Sequence, residues 1–170
     1  MKVIAEVRAR DAVMQCMQKG GVGVEIGVHM GINAREMLRQ LRPTKLHLID
    51  PWQELKGHER AGTWYDRVDQ EEMDSYHDGV VNAFRPHIRR GIVEIRRMMS
   101  WDALAGFDDE SVDWIYVDGD HSYAAVKRDL EMSFTKVKPG GIIAGDDYKF
   151  GGWWGEESCV PCTSFWCRGR

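Results

Sequence analysis

The chain has 170 residues, with 23 Lys plus Arg against 27 Asp plus Glu. That length suffices for one buried core, and a net charge of −4 gives no overall field that would draw nucleic acid or anionic lipid. No window approaches the ~18 apolar residues of a membrane span, and MKVIAEVRARDA turns charged too soon for a secretion leader, so a cytoplasmic protein with a small neutral or cationic ligand is expected.

From Asp11 the pattern DAVMQCMQKGG predicts a short helix stopped by Gly20 and Gly21. GVGVEIG follows as a first buried strand through Val22, Val24 and Ile26. In GVHMGINAREMLRQL, Ala34, Met37, Leu38 and Leu41 fall at helical spacing, with Asn33 as the expected N-cap and Glu36 three residues on as in a capping box. KLHLID, residues 45–50, is the second strand, stopped by Pro51. A polar insertion runs from Trp52 to Pro86, its later half helical with Met73, Tyr76, Val80 and Phe84 on one face.

Ile92 to Ile95 predict a third strand, Ser100 to Leu104 a turn or short helix, and Val112 to Val117 a fourth strand. Positions 123, 126, 130, 134 and 137 trace one apolar helical stripe closed by the turn KPGG, and GIIAGDDY is the fifth strand. Strands alternating with helices predict one α/β domain with a doubly wound, mostly parallel sheet over residues 1–170. Ligands of such sheets bind beyond the carboxyl ends of the strands, which directs attention to Gly27–Gly31, Asp50, Ser100–Asp102, Asp118–His121 and Asp146–Asp147.

At the first of these ends, Glu25, Gly27 and Gly31 form an E-x-G-x-x-x-G loop where strand becomes helix. Glycine there lets the backbone approach a ligand, while an acid beside the loop repels pyrophosphate and suits a cation. Glu25 in a plain ion pair is the structural alternative. The dinucleotide fingerprint G-x-G-x-x-G is missing after the strand, which disfavours a nicotinamide-dependent oxidoreductase. Asp50 closes the second strand about twenty residues on, the usual distance for an acid that binds ribose hydroxyls.

At the second end, neighbouring fourth and fifth strands would bring Asp118, Asp146 and Asp147 together. Like charges in one cleft call for a cation, and an all-oxygen set suits Mg²⁺, Ca²⁺ or Mn²⁺. His121, three residues beyond Asp118, would face the same cleft and take a proton from a metal-bound hydroxyl; a helix cap or surface residue is the structural alternative. Asp120 would cap the next helix or orient that base.

EIGVHMG, LHLIDPW, VDWIYVDGDHSYAAVKRDL and KPGGIIAGDDY together resemble the class I S-adenosylmethionine-dependent methyltransferases, most closely the small D-G-D-H-S-Y and G-D-D-Y group related to metal-dependent O-methyltransferases. The resemblance implies that Glu25, Gly27 and Gly31 hold the methionine part of the cofactor, that Asp50 binds its ribose and that Ser100 and Trp101 contact adenine. Asp118 also adjoins this pocket. It further implies Asp118, Asp146 and Asp147 as metal ligands and His121 as general base, as in the sugar-modifying branch. The expected reaction moves a methyl from S-adenosylmethionine to a hydroxyl of a small molecule, a sugar or natural product, assisted by Mg²⁺ or another hard divalent ion. A non-catalytic S-adenosylmethionine-binding module is the alternative.

The resemblance covers residues 22–148 as the matching core of the domain and fails after the fifth strand, which leaves residues 149–170 as an atypical tail. KFGGWWGEESCVPCTSFWCRGR lacks a clear strand pair, so the antiparallel hairpin that completes the family's sheet is expected to be shortened or missing. A truncated or out-of-frame end is one reading of this change in composition. Cys159, Cys162 and Cys167 form an incomplete zinc set, and with Cys16 they are too few for a disulfide framework. Trp153, Trp154, Phe165 and Trp166 would cover a sheet edge or join two copies in a homodimer. Trp52, Trp64, Tyr65 and Tyr76 would stack on the acceptor or serve the core.

Overall fold

Strands of Val, Ile and Leu separated by amphipathic helices fold as their pattern requires. The computed structural model describes residues 9–55, 67–145 and 166–167. In chain order these residues form α1 (Ala9–Cys16), β1 (Val22–Ile26), α2 (Ile32–Gln40), β2 (Lys45–Asp50), α3 (Gln70–Arg89), β3 (Val93–Arg97), α4 (Ser100–Ala105), β4 (Val112–Val117), α5 (Tyr123–Lys136), β5 (Val137–Gly145) and β6 (Trp166–Cys167). The sheet order is β3-β2-β1-β4-β5-β6. The first five strands are parallel, and β6 runs antiparallel along Ile142 and Ile143 of β5.

Period-two alternation divides the core between the two faces of this sheet. Leu46, Leu48, Trp114 and Tyr116 face a cluster with Met37 of α2 and Met73, Val80 and Phe84 of α3. Val24, Ile26, Ile49, Ile115 and Val117 face a second cluster with Ala103 and Leu104 of α4. Each large aliphatic side chain removed from water here is worth about 1.5–3 kcal/mol, so the doubly covered sheet is the main source of stability. His47 joins the second face at 7% exposure, edge-on to Phe107, and burial pushes its pKa down to about 4. It is a neutral core histidine at neutral pH.

Four local expectations are revised. Asn33 does not cap α2: Gly31, at φ 72°, is the N-cap, and Asn33 lies buried in the first turn, where its amide reaches Glu25. The third strand begins at Val93 and continues to Arg97, because both its ends pair with β2, from Leu46–Val93 to Asp50–Arg97. KPGG forms an irregularity within β5: Val137 pairs with Val112, pairing resumes at Ile142 with Trp114, and Gly140 has φ 83°. The stripe on α5 is rotated. Tyr123 and Phe134 are exposed, while Val126, Asp129 and Ser133 are its buried set.

Among the described residues the antiparallel completion of the sheet is the two-residue β6. No helix among them is long and apolar enough to cross a membrane. Cys159, Cys162, Trp153, Trp154 and Phe165 lie outside the described residues, as do Trp64 and Tyr65.

Two glycines test the packing in opposite senses. A Cβ on Gly23 of β1 would stand 2.1 Å from the Trp114 ring, whereas nothing lies within 4 Å of one on Gly79 in α3. Gly23→Ala should lower stability by about 1–3 kcal/mol through overpacking. Gly79→Ala should raise it by roughly 0.5–1 kcal/mol through helix propensity. Urea midpoints at constant m-value read both.

Candidate functional site

β1 lies between β2 and β4, so the chain leaves the sheet's centre in one direction through β2 and β3 and in the other through β4 and β5. The crevice at such a switch point is where doubly wound sheets take ligands. Its floor is made by the loop after β1. Gly27, at φ 85°, donates its N–H to Ile49 O at 2.9 Å, and a Cβ there would meet Asp118 O at 2.0 Å. Only glycine fits, because the loop after β1 presses directly on the backbone after β4.

Asp50, at the end of β2, pins this loop from the other side. One carboxylate oxygen accepts the N–H groups of Val28 and His29, each at 2.9 Å, and the other accepts Trp52 N–H at 2.7 Å. A carboxylate has about four acceptor positions, so one stays available to a ligand hydroxyl. His29 adopts φ 51°, and its carbonyl accepts the Trp52 indole N–H at 2.8 Å. Trp52 is 1% exposed, which makes it a core anchor rather than a stacking surface.

Below the loop Glu25 is fully buried, with Oε1 accepting Asn33 Nδ2–H at 3.0 Å. That bond ties the end of β1 to the first turn of α2. Gly31 passes so close to α3 that a Cβ would lie 2.8 Å from the Phe84 ring. The outer wall is the start of α3. Tyr76 packs edge-on against His29 at 4.8 Å and donates its hydroxyl to Glu72, while His77 packs against Trp52 at 5.1 Å. Burial lowers the His29 pKa, with Asp50 and Glu72 opposing it. Arg97 joins Asp74 to the Trp52 carbonyl, and Gln70 binds that same carbonyl, which fixes α3 against the ends of β2 and β3.

On the other side, Asp118 follows β4 and is tied by its N–H to Ile26 O at 2.8 Å. Asp120 accepts the Ser122 N–H at 3.0 Å, and Ser122 is the N-cap of α5, accepting Ala125 N–H. His121 is half-buried between them. Val117 pairs with Gly145, the residue before Asp146. Asp146 and Asp147 themselves lie outside the described residues, and among the described residues no group of three His, Cys, Asp or Glu could hold a metal ion.

Ser100 and Trp101 open α4, facing α5. Ser100 Oγ–H donates to Asp129 at 2.5 Å, and the Arg128 guanidinium stacks over Trp101 at 4.3 Å. Asp129 escaped the sequence reading because an acid at a stripe position resembles an exposed residue beside it. Its signal was the spacing: 126, 129 and 133 repeat at three and four. Burial pushes its pKa up from 3.8 to about 6, with Asp120 adding to the rise and Ser100 and Arg128 opposing it.

A profile of a methyltransferase domain family matches residues 24–148. Among curated proteins, the uncharacterized protein y4gI of Sinorhizobium fredii is 28% identical over an alignment of 154 positions, which covers 84% of this chain and 16% of that protein. This chain therefore spans a small part of that relative. Geranyl diphosphate C-methyltransferase from Streptomyces coelicolor, solved with Mg²⁺, geranyl diphosphate and S-adenosyl-L-homocysteine, superposes with a TM-score of 0.56 at 13% identity, covering 80% of this chain and 43% of that one. An rRNA methylase from Streptococcus thermophilus gives 0.53 at 10% identity, covering 85% and 72%. At these identities the likeness is one of fold.

Because the Asp129 pKa is raised on folding, the native state pays for the charged form. The cost is absent below about pH 3.8, where both states are protonated, grows as pH rises, and is complete above about 6. Asp129→Asn should therefore match the parent near pH 4 and exceed it above pH 6 by on the order of 2–3 kcal/mol. Denaturant unfolding at pH 4, 5, 6 and 7.5 checks this.

Proposed function

The chain belongs to the methyltransferase domain family, and from that premise we propose that it transfers the methyl group of S-adenosylmethionine to a hydroxyl of a small molecule, a sugar or natural product. The observation that carries this reading is the loop after β1, pinned by Asp50 and bordered by Glu25 and Asp118. An acidic crevice of this kind suits a sulfonium cation bearing a ribose and opposes a pyrophosphate. The S-adenosyl-L-homocysteine held by the geranyl diphosphate enzyme supports the choice of cofactor.

The cofactor, when bound, supplies an electrophilic sulfonium methyl. On this proposal Gly27 and Gly31 let the backbone approach its methionine part, with Glu25 holding their loop through Asn33. Asp50 offers its remaining acceptor position to the ribose, Ser100 and Trp101 border the adenine, and Asp118 closes the other side. His121 accepts the proton that the acceptor hydroxyl loses as its oxygen bonds to the methyl carbon and the carbon–sulfur bond breaks. The product is a methyl ether and a neutral thioether, so positioning of the two reactants is the main catalytic demand. A hard divalent ion held by Asp118, Asp146 and Asp147 would acidify that hydroxyl. The carboxylate chemistry suits such an ion, and the Mg²⁺ in the geranyl diphosphate enzyme supports this choice.

Calorimetry with S-adenosylhomocysteine, S-adenosylmethionine and NAD tests the cofactor. Binding of the first two and not of NAD is expected; tight NAD binding alone would turn the reading toward oxidoreduction. With labelled S-adenosylmethionine, Mg²⁺ and a panel of hydroxylated acceptors, His121→Ala should lower turnover by roughly 10²–10⁴-fold while keeping cofactor affinity. Full activity of that variant removes His121 as the base. Turnover that survives chelation removes the metal. Cofactor binding without turnover on any acceptor would favour a binding module.

A further inference from the structure

The reaction proposed above gives Asp129 no part, yet this carboxyl is buried among the segments that frame the crevice. It is 3% exposed on α5 and accepts the Ser100 hydroxyl at 2.5 Å. Its Oδ2 lies 3.8 Å from where a side chain on Gly119 would begin. Ser100 opens α4, and Gly119 stands between Asp118 and Asp120 in the turn after β4. One acid thus bonds the first turn of α4 and stands beside the turn after β4. The preceding residue, Arg128, stacks on Trp101, so two consecutive residues of α5 grip two consecutive residues of α4.

A leucine here would extend the second core cluster without the cost of desolvating a carboxyl. A buried carboxyl is costly unless it is bonded, and here the Ser100 hydroxyl supplies that bond from a different element of the fold. Its charged neighbours are Arg128 on its own helix and Asp120 on the turn, and α4 presents to it the neutral donor Ser100.

We propose that Asp129 is a positioning residue for the cofactor pocket: by holding Ser100 and backing Gly119 it sets the distance between the α4 turn and the 118–121 turn, the gap that would receive the adenosine. This rests on the cofactor reading above. A carboxylate and an amide both accept the Ser100 hydrogen bond, so Asp129→Asn should preserve the spacing. Asp129→Ala should lose it, as should Ser100→Ala from the other side.

The test is calorimetric affinity for S-adenosylhomocysteine at pH 7.5 in the full chain. Asp129→Asn should bind within about threefold of the parent, and Asp129→Ala and Ser100→Ala should each bind roughly tenfold more weakly, the size of one lost charge-assisted hydrogen bond. Because both substitutions break the same contact, the double variant should be no weaker than the weaker single variant by more than about twofold. Asp129→Ala folding cooperatively and binding like the parent would overturn the proposal, as would losses that multiply in the double variant. Should Asp129→Ala fail to fold, Ser100→Ala decides alone, and parental affinity in it counts against the proposal. A parent that binds no S-adenosylhomocysteine would instead remove the cofactor reading, and this inference with it.

Discussion

The crevice depends on one carboxylate. Asp50 gathers three backbone N–H groups, from Val28, His29 and Trp52, and so fixes the loop after β1 against the end of β2. Without such an acceptor those amides would need water or a ligand, since buried or half-buried N–H groups are costly when unpaired. With it the loop stands ready before anything binds. Preorganisation of this kind lowers the ordering cost of association.

The rest of the pocket follows from close approach. Gly27 lets the β1 loop touch the backbone of Asp118, and Gly31 lets it touch Phe84 of α3. The two halves of the sheet therefore meet at the loop through contacts that a single methyl group would disrupt. Around them two buried acids are each held by a hydrogen bond: Glu25 Oε1 accepts from Asn33, and Asp129 accepts from Ser100. Elsewhere the two faces of the sheet are overwhelmingly apolar. Placing acids at the carboxyl ends of strands, with Glu25 buried and Asp50 and Asp118 partly buried, is costly for folding and suits an electropositive ligand, which is where the methyl-transfer proposal draws its physical support.

Much of this architecture was legible in the chain. β1, β2 and β4 announce themselves as short apolar runs closed by Gly, Pro or Asp, and their alternation with helices predicts a parallel sheet. Glu25, Gly27 and Asp50 stood out because they fall at the carboxyl ends of strands, where doubly wound sheets take ligands. Other features were hidden. Asn33 has the look of a cap, and only its distance to Glu25 shows that it is buried in the helix. Trp52 reads equally as a stacking surface or a core residue until its indole is seen to anchor the loop through His29. On α5, Asp129 is buried and bonded to Ser100 of α4, a pairing separated by 29 residues.

What the sequence determined by itself was therefore periodic and local: which segments are strands, where glycine must permit a turn, and which acids stand at the ends. Hydrophobic spacing and backbone sterics act between near neighbours, and they can be read in one dimension. The tertiary structure alone decided which polar groups are paired and which face of α5 is buried. Those outcomes arise from desolvation, which depends on everything packed around a group, so the spacing of Val126, Asp129 and Ser133 hints at the buried face without fixing it.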